Sequence, residues 1–303
     1  MASLVDPHYL WAFGHFTVLI NAVYVVLQTV LFRGTPNIPY RLLYIGALLS
    51  YSIVVFKSLG KPTGTAWLRR AFIDENVQYA LLAFYWLISK AIGITILPYV
   101  TFSLFHCATF LRTNILPKFA AKAVPGQQRP PPNWADNLGS QIQSWVKQNY
   151  DKAMNFVAYA ELVILLRVFV GAITFRSSFI APIFLAHFIR LRYHASPFTR
   201  RAVNTCGAKI DEIVNNQSPA VQNAWGTAKR AIKTWGGGPL VPGSSTGSST
   251  GSRATATGTR ASDTTGTAGT TGTAGTSAGA STGSATGAAP AAGAAGTDPK
   301  RRV

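Results

Sequence analysis

The chain has 303 residues, with 28 Lys and Arg against 10 Asp and Glu, a net charge of +18, and 48% hydrophobic content. Most apolar residues precede position 200, while the last 68 are almost entirely Gly, Ser, Thr and Ala, which excludes a single soluble globular domain. Most Lys and Arg flank apolar runs, where they read as topology signals and contacts to anionic lipid rather than as a nucleic-acid surface. Two cysteines in unlike settings, Cys107 and Cys206, exclude a disulfide framework.

Tyr9 to Phe32 runs for 24 residues without Lys, Arg, Asp or Glu. A bilayer core of about 30 Å needs roughly 20 apolar helical residues, so this segment crosses it. The MASLVDPH amino terminus has no basic region and no cleavage site follows the run, which predicts a retained anchor. Gly34, Pro36 and Pro39 between Arg33 and Arg41 predict a tight turn back. The next run, Leu42 to Phe56, has only 15 residues, short for a full crossing and suited to half of a hairpin.

Residues 57–75 are polar, and Asp74 and Glu75 suit the start of a helix. From Asn76 to Leu111 the chain is apolar apart from Lys90, with Gly93 and Pro98 inside. Either one kinked helix or two arms turning near Gly93 to Pro98 accommodates that pattern. In the connector 112–155, Trp134, Leu138, Ile142, Trp145, Val146 and Asn149 recur at helical period, predicting an interfacial helix over 134–150. Phe156 to Ile189 is apolar but broken by Glu161, Arg167 and Arg176, which fits a hairpin with Arg176 near its tip.

Three hairpins place the loops 57–75 and 112–155, with four and six basic residues, on one side together with both termini. The positive-inside rule puts that side in the cytosol. The sequon at Asn216 then stays unmodified, and the final Lys300, Arg301 and Arg302 only faintly resemble a dibasic retrieval signal.

Thr17, Asn21, Tyr24 and Gln28 draw a polar seam along the first helix. We read it as a helix-packing seam with interhelical hydrogen bonds, a substrate path being the alternative. Lys90, Glu161, Arg167 and Arg176 pose the same choice, and short segments put all four near interfaces. The histidines show no ligand spacing, and no phosphate loop, nucleophile elbow or catalytic carboxylate pair is present. The expectation is a non-enzymatic chain with no cofactor and no metal.

The sharper signal follows the last apolar run. Ser218 and Pro219 open a helix that Gly236 to Gly238 stop. Val221, Trp225, Ala228, Ile232 and Trp235 fall on one face, with Gln222, Lys229, Arg230 and Lys233 on the rest. Such a helix is built to lie in a bilayer interface: Val221, Trp225, Ile232 and Trp235 insert while Lys229, Arg230 and Lys233 hold anionic headgroups. Docking of this face on the membrane domain or on a partner protein is the alternative. Val203, Ile210, Ile213 and Val214 mark a similar stretch before it, and from residue 236 the chain reads as a disordered spacer. The domains are thus a helical membrane domain at 1–199, a basic amphipathic region at 200–235 and a tail at 236–303.

The runs DENVQYALLAFYWL at 74–87, FSLFH at 102–106, LRTNILP at 111–117 and FIRLRYHAS at 188–196 resemble the transmembrane protein 33 family, which includes the fungal pore-membrane nucleoporins. The resemblance covers residues 4 to about 235 and leaves the tail outside. It implies residence in the endoplasmic reticulum and nuclear envelope, links to reticulon-type proteins and tubular network organisation, and in fungi a role in nuclear pore complex distribution or assembly. It also implies that residues 200–235 bind curved membrane and an importin.

The fold class expected is therefore an all-α integral membrane protein of short transmembrane or hairpin helices, interfacial amphipathic helices and a disordered tail. The function expected is a curvature-favouring scaffold whose partners are anionic lipid and, by resemblance, reticulons, nucleoporins and an importin. A small transporter or channel, and an adaptor recruiting import or pore proteins, are the alternatives.

Overall fold

The computed structural model describes residues 6–120 and 131–237. Of these, 86% are helical and none lies in a strand, which establishes the all-α class. The order is α1 (Pro7–Val30), α2 (Asn37–Leu59), α3 (Gly64–Ile73), α4 (Glu75–Ile88), α5 (Leu97–Phe110), α6 (Trp134–Ile173), α7 (Ile180–Ala195), α8 (Pro197–Asn215) and α9 (Pro219–Gly236). A 3-10 turn at Gly93–Ile96 leads into α5, and a π-helical turn at Leu111–Ile115 with a 3-10 turn at Leu116–Lys118 prolongs it. Among the described residues, four stretches are long and apolar enough to cross a bilayer: Pro7–Val30, Asn37–Leu59, Gly93–Lys118 and Trp134–Ile173.

Local chemistry sets the boundaries. Asp6 Oδ1 accepts from the His8 N–H at 2.8 Å and Pro7 opens α1. Asp74 Oδ1 accepts from the N–H groups of Asn76 and Val77 at 2.9 and 3.0 Å, so the acidic pair does start a helix. Gly60 ends α2 at φ +70°, in the left-handed region that glycine enters without penalty. Asn133 and Asp136 form a capping box at the start of α6.

The helices run antiparallel, and the turns 31–36, 89–92 and 174–179 lie at one end. A Cβ on Gly93 would meet the Thr35 and Thr29 hydroxyls at 3.0 and 3.3 Å, which brings the first two turns together. Along α4 and α7, Tyr85 meets Phe184 (5.2 Å between centroids), Tyr79 meets Phe188 (5.1 Å) and Glu75 meets Arg192, so the third turn lies at the Ile88 end of α4. At the opposite, basic end, the Lys118 ammonium donates to the Tyr9 hydroxyl at 3.0 Å and Asn114 Nδ2 contacts His8 Nε2 at 3.1 Å.

The tightest contact joins α1 and α2. A Cβ on Gly14 would stand 2.6 Å from the Gly46 carbonyl oxygen and would collide with the Ser50 hydroxyl, and one on Gly46 would stand 2.7 Å from the Gly14 carbonyl oxygen. Small residues let the backbones touch, the usual solution where lipid gives no hydrophobic drive to association. Farther in, Tyr40, Tyr44, Tyr79, Tyr99 and Trp86 fill the core. Their hydroxyls are satisfied in pairs: Tyr40 and Tyr44 meet Thr95 Oγ1 at 2.9 and 2.8 Å, and the Tyr99 hydroxyl donates to the Tyr79 carbonyl at 3.0 Å.

The second apolar run becomes the 23-residue α2, about 34 Å long, because the helix extends through Asn37 to Arg41 and on to Leu59. Of the two arrangements for 76–111, the two-arm one forms, with its turn at Ser89–Ile92; Pro98 sits in the first turn of α5, where its missing N–H costs nothing. The helix over 134–150 is not a separate element but the start of the 40-residue α6. The polar connector 57–75 contains α3, whose ten residues begin at Gly64 with φ +64°. The spacer reading of 238–303 lies outside the described residues.

Candidate membrane-binding site

The seam on α1 divides when placed in the bundle. Thr17 rests against Gly46, with its Cγ2 3.1 Å from where a Cβ there would stand, and its hydroxyl donates to the Phe13 carbonyl at 2.9 Å. Asn21 Nδ2 donates to the Thr17 carbonyl at 2.8 Å, whereas Tyr24 is exposed and Gln28 half-buried. The buried residues of α1 are Ala12, Gly14, His15, Val18, Ala22 and Val25.

Of the four charged residues in apolar runs, Lys90, Arg167 and Arg176 are exposed. Glu161 is buried inside the bundle: it is 1% exposed, and the Tyr79 hydroxyl donates to its Oε1 at 2.5 Å. The Arg192 guanidinium lies 5.3 Å above the Tyr79 ring and pairs with Glu75 Oε2 at 2.8 Å. This network ties α4, α6 and α7, and Glu75, Tyr79 and Arg192 all belong to the sequence runs that carried the family resemblance. The LRTNILP run has a structural task too. Besides the Asn114 and Lys118 contacts to α1, Arg112 Nη1 donates to Gln143 at 3.4 Å and Leu116 lies 3.7 Å from a Cβ position on Gly139, so the run clamps α6.

At the same basic end, α8 is capped by Ser196, whose hydroxyl accepts from the Thr199 N–H at 3.4 Å, and buries Thr199 and Ala202 against the bundle. Helix α9 begins at Pro219 and ends at Gly236, as the spacing requires, although the Ser218 side chain makes no capping bond. Its Val221 and Ile232 are exposed, as are Lys229, Arg230 and Lys233.

Two other members of the apolar face have partners within the protein. Trp225 Nε1 donates to Asp211 Oδ1 at 2.6 Å, and the Lys229 ammonium lies 2.8 Å from Asp211 Oδ2. Those two donors, Lys229 first, hold the Asp211 carboxyl below the usual carboxylate range. Trp235 lies under the Arg190 guanidinium at 5.2 Å, and His194 Nε2 meets the Gly236 carbonyl at 3.1 Å. Sequence reasoning did not single out Asp211; a carboxylate in an otherwise basic stretch was the available signal.

A bundle with four bilayer-length helices, closed by tight turns at one end and carrying a basic helix pair at the other, defines a multi-span integral membrane protein. The chain belongs to the family described as Transmembrane protein 33/Nucleoporin POM33, which it matches over residues 5–232. It is 28% identical to Tetra-spanning protein 1 of Schizosaccharomyces pombe, over 78% of this chain and 86% of that one. It is 30% identical to Nucleoporin POM33 of Chaetomium thermophilum, over 74% of this chain and 83% of that one. Pore membrane protein of 33 kDa of Saccharomyces cerevisiae is 27% identical, over 77% and 84%. No solved structure matches the chain.

Proposed function

We propose that this protein is a non-enzymatic scaffold of the nuclear pore membrane and the endoplasmic reticulum that favours curved bilayer, with both termini in the cytosol. The names of two relatives, a nucleoporin and a pore membrane protein, support the location. One observation carries the mechanism: the chain is one-ended. Tight turns close the bundle on one side, while α3, the start of α6, α8 and α9 add their bulk on the other. Elements that widen one leaflet more than its opposite relax when the bilayer bends toward the narrow side.

Within this reading, Val221, Trp225, Ile232 and Trp235 insert, and Lys229, Arg230 and Lys233 bind phosphate. Because Trp225 and Lys229 are already held by Asp211, lipid phosphate competes with that carboxylate for the same donors. Anionic lipid, reticulon-type proteins, nucleoporins and an importin are the partners this location offers.

Reconstitution of the full chain tests the scaffold. Narrowed or tubulated vesicles are expected, with weaker narrowing when Ile232 and Trp235 are both changed to Ala. Unchanged vesicle diameters reject it, and solute flux abolished by Asn21→Leu makes the protein a channel instead.

A further inference from the structure

Two residues other than glycine have positive φ among the described residues, Phe32 at 55° and Phe175 at 57°. They occupy the same place in two separate turns. After α1, the Phe32 N–H donates to the Thr29 carbonyl at 3.1 Å and the Arg33 N–H to the Gln28 carbonyl at 3.0 Å. After α6, the Phe175 N–H donates to Ala172 at 3.0 Å and the Arg176 N–H to Gly171 at 2.7 Å. Both are Schellman caps, whose left-handed position is the one that glycine ordinarily fills. The chain itself uses glycine to end α2, at Gly60.

Here each left-handed position holds a phenylalanine followed by an arginine. The two rings are 96% and 84% exposed, so neither is retained to fill the core. Strained backbone that holds an unburied apolar ring marks a position kept for contact outside the fold. The charge around the rings is of one sign. Arg33, Arg41, Lys90 and Arg176 belong to this end, and residues 29–41, 88–96 and 171–183 contain no Asp or Glu. Neither Arg33 nor Arg176 has an ion-pair partner among the described residues.

From this repetition we infer that the two Phe-Arg turns are a matched pair of lipid anchors. Phe32 and Phe175 enter the acyl boundary of the leaflet at the turn end, and Arg33 and Arg176 hold its phosphates. Lipid is the occupant because these turns are continuous with bilayer-spanning helices and the charge is complementary to phosphate. The tips of the first and third hairpins are thus embedded in the far leaflet instead of standing in water beyond it. This rests on the membrane-spanning assignment and is independent of the role given to α9.

The test uses the full chain in lipid nanodiscs, with Cys107→Ala and Cys206→Ser and a nitroxide at Thr35 or Ser178. A third label at the exposed Ser140 is the water reference. Labels at the turns are expected to be relaxed by oxygen and shielded from a water-soluble nickel chelate, several-fold more than the Ser140 label. The double change Phe32→Gly with Phe175→Gly is expected to raise nickel access at both turns several-fold, while the thermal midpoint in detergent stays level or rises. Turn labels as open to nickel as the Ser140 label overturn the inference. So does a lowered midpoint or failure to fold, which would make the rings part of the core. Shielding that vanishes when each nanodisc holds a single copy also overturns it, in favour of contact between copies.

Discussion

Tyr79 shows how one residue ties its own helix to three others. Its hydroxyl donates to Glu161 on α6, its ring supports the Arg192 guanidinium of α7, and its own carbonyl accepts from Tyr99 on α5. Tyr79→Phe keeps the ring and removes the donor, leaving a buried carboxyl without its bond. A loss of about 1–3 kcal/mol is expected, read as a lower thermal midpoint in detergent, with Glu161→Leu restoring part of it in the Phe background. Asp211 gives a pH signature. Its docked carboxyl titrates below the ordinary value because Lys229 and Trp225 favour the charged form. The contribution of Asp211 to docking of α9 on α8 is therefore fully present above pH about 3.9 and is lost as the pH falls through the lower, docked value. Spin-label distances between Lys209→Cys and Asn223→Cys should lengthen across that acidic window in a Cys206→Ser chain, and should be long at every pH in Asp211→Asn.

At the scale of elements, the α1–α2 pair depends on two glycines. Gly14→Leu places branched carbon against the Gly46 carbonyl and Ser50, so the helices must part, at a cost of about 3 kcal/mol or more. Loss of the folded fraction in fluorescence-detected size exclusion would register it. Apolar runs, turns and the bounds of α9 were legible in the sequence because each rests on local chemistry: charge-free length, Gly and Pro, and Pro219 with Gly236. The packing face of α1 was legible only in part. Periodicity singled out Thr17, which does pack on Gly46, and Asn21, which bonds within its own helix, but not Gly14, whose pairing with Gly46 only the fold reveals. The partner of Glu161 was hidden for a related reason, since Tyr79 is 82 positions away. The join between 134–150 and 156–173 was hidden by Lys147, Asp151 and Lys152, which look like a boundary yet sit exposed on one unbroken helix.

For the whole molecule, the two ends differ in kind, and topology is the measurement that checks it. Cysteines at Lys90 and Arg176 should resist an impermeant thiol reagent added to sealed microsomes from the cytosolic side, while one at Ser140 reacts. Reaction at Lys90 or Arg176 would reverse the orientation proposed. One feature sets how the two sides communicate. Helix α6 runs 40 residues, about 60 Å, twice the thickness of the hydrocarbon core. A rod of that length has no joint at the water boundary, so it works as a mast. A sideways pull on its tip near Trp134, by whatever neighbour grasps it, is delivered as tilt at Ile173 on the far side. Glu161, lodged partway down, lies where that tilt would strain its bond to Tyr79.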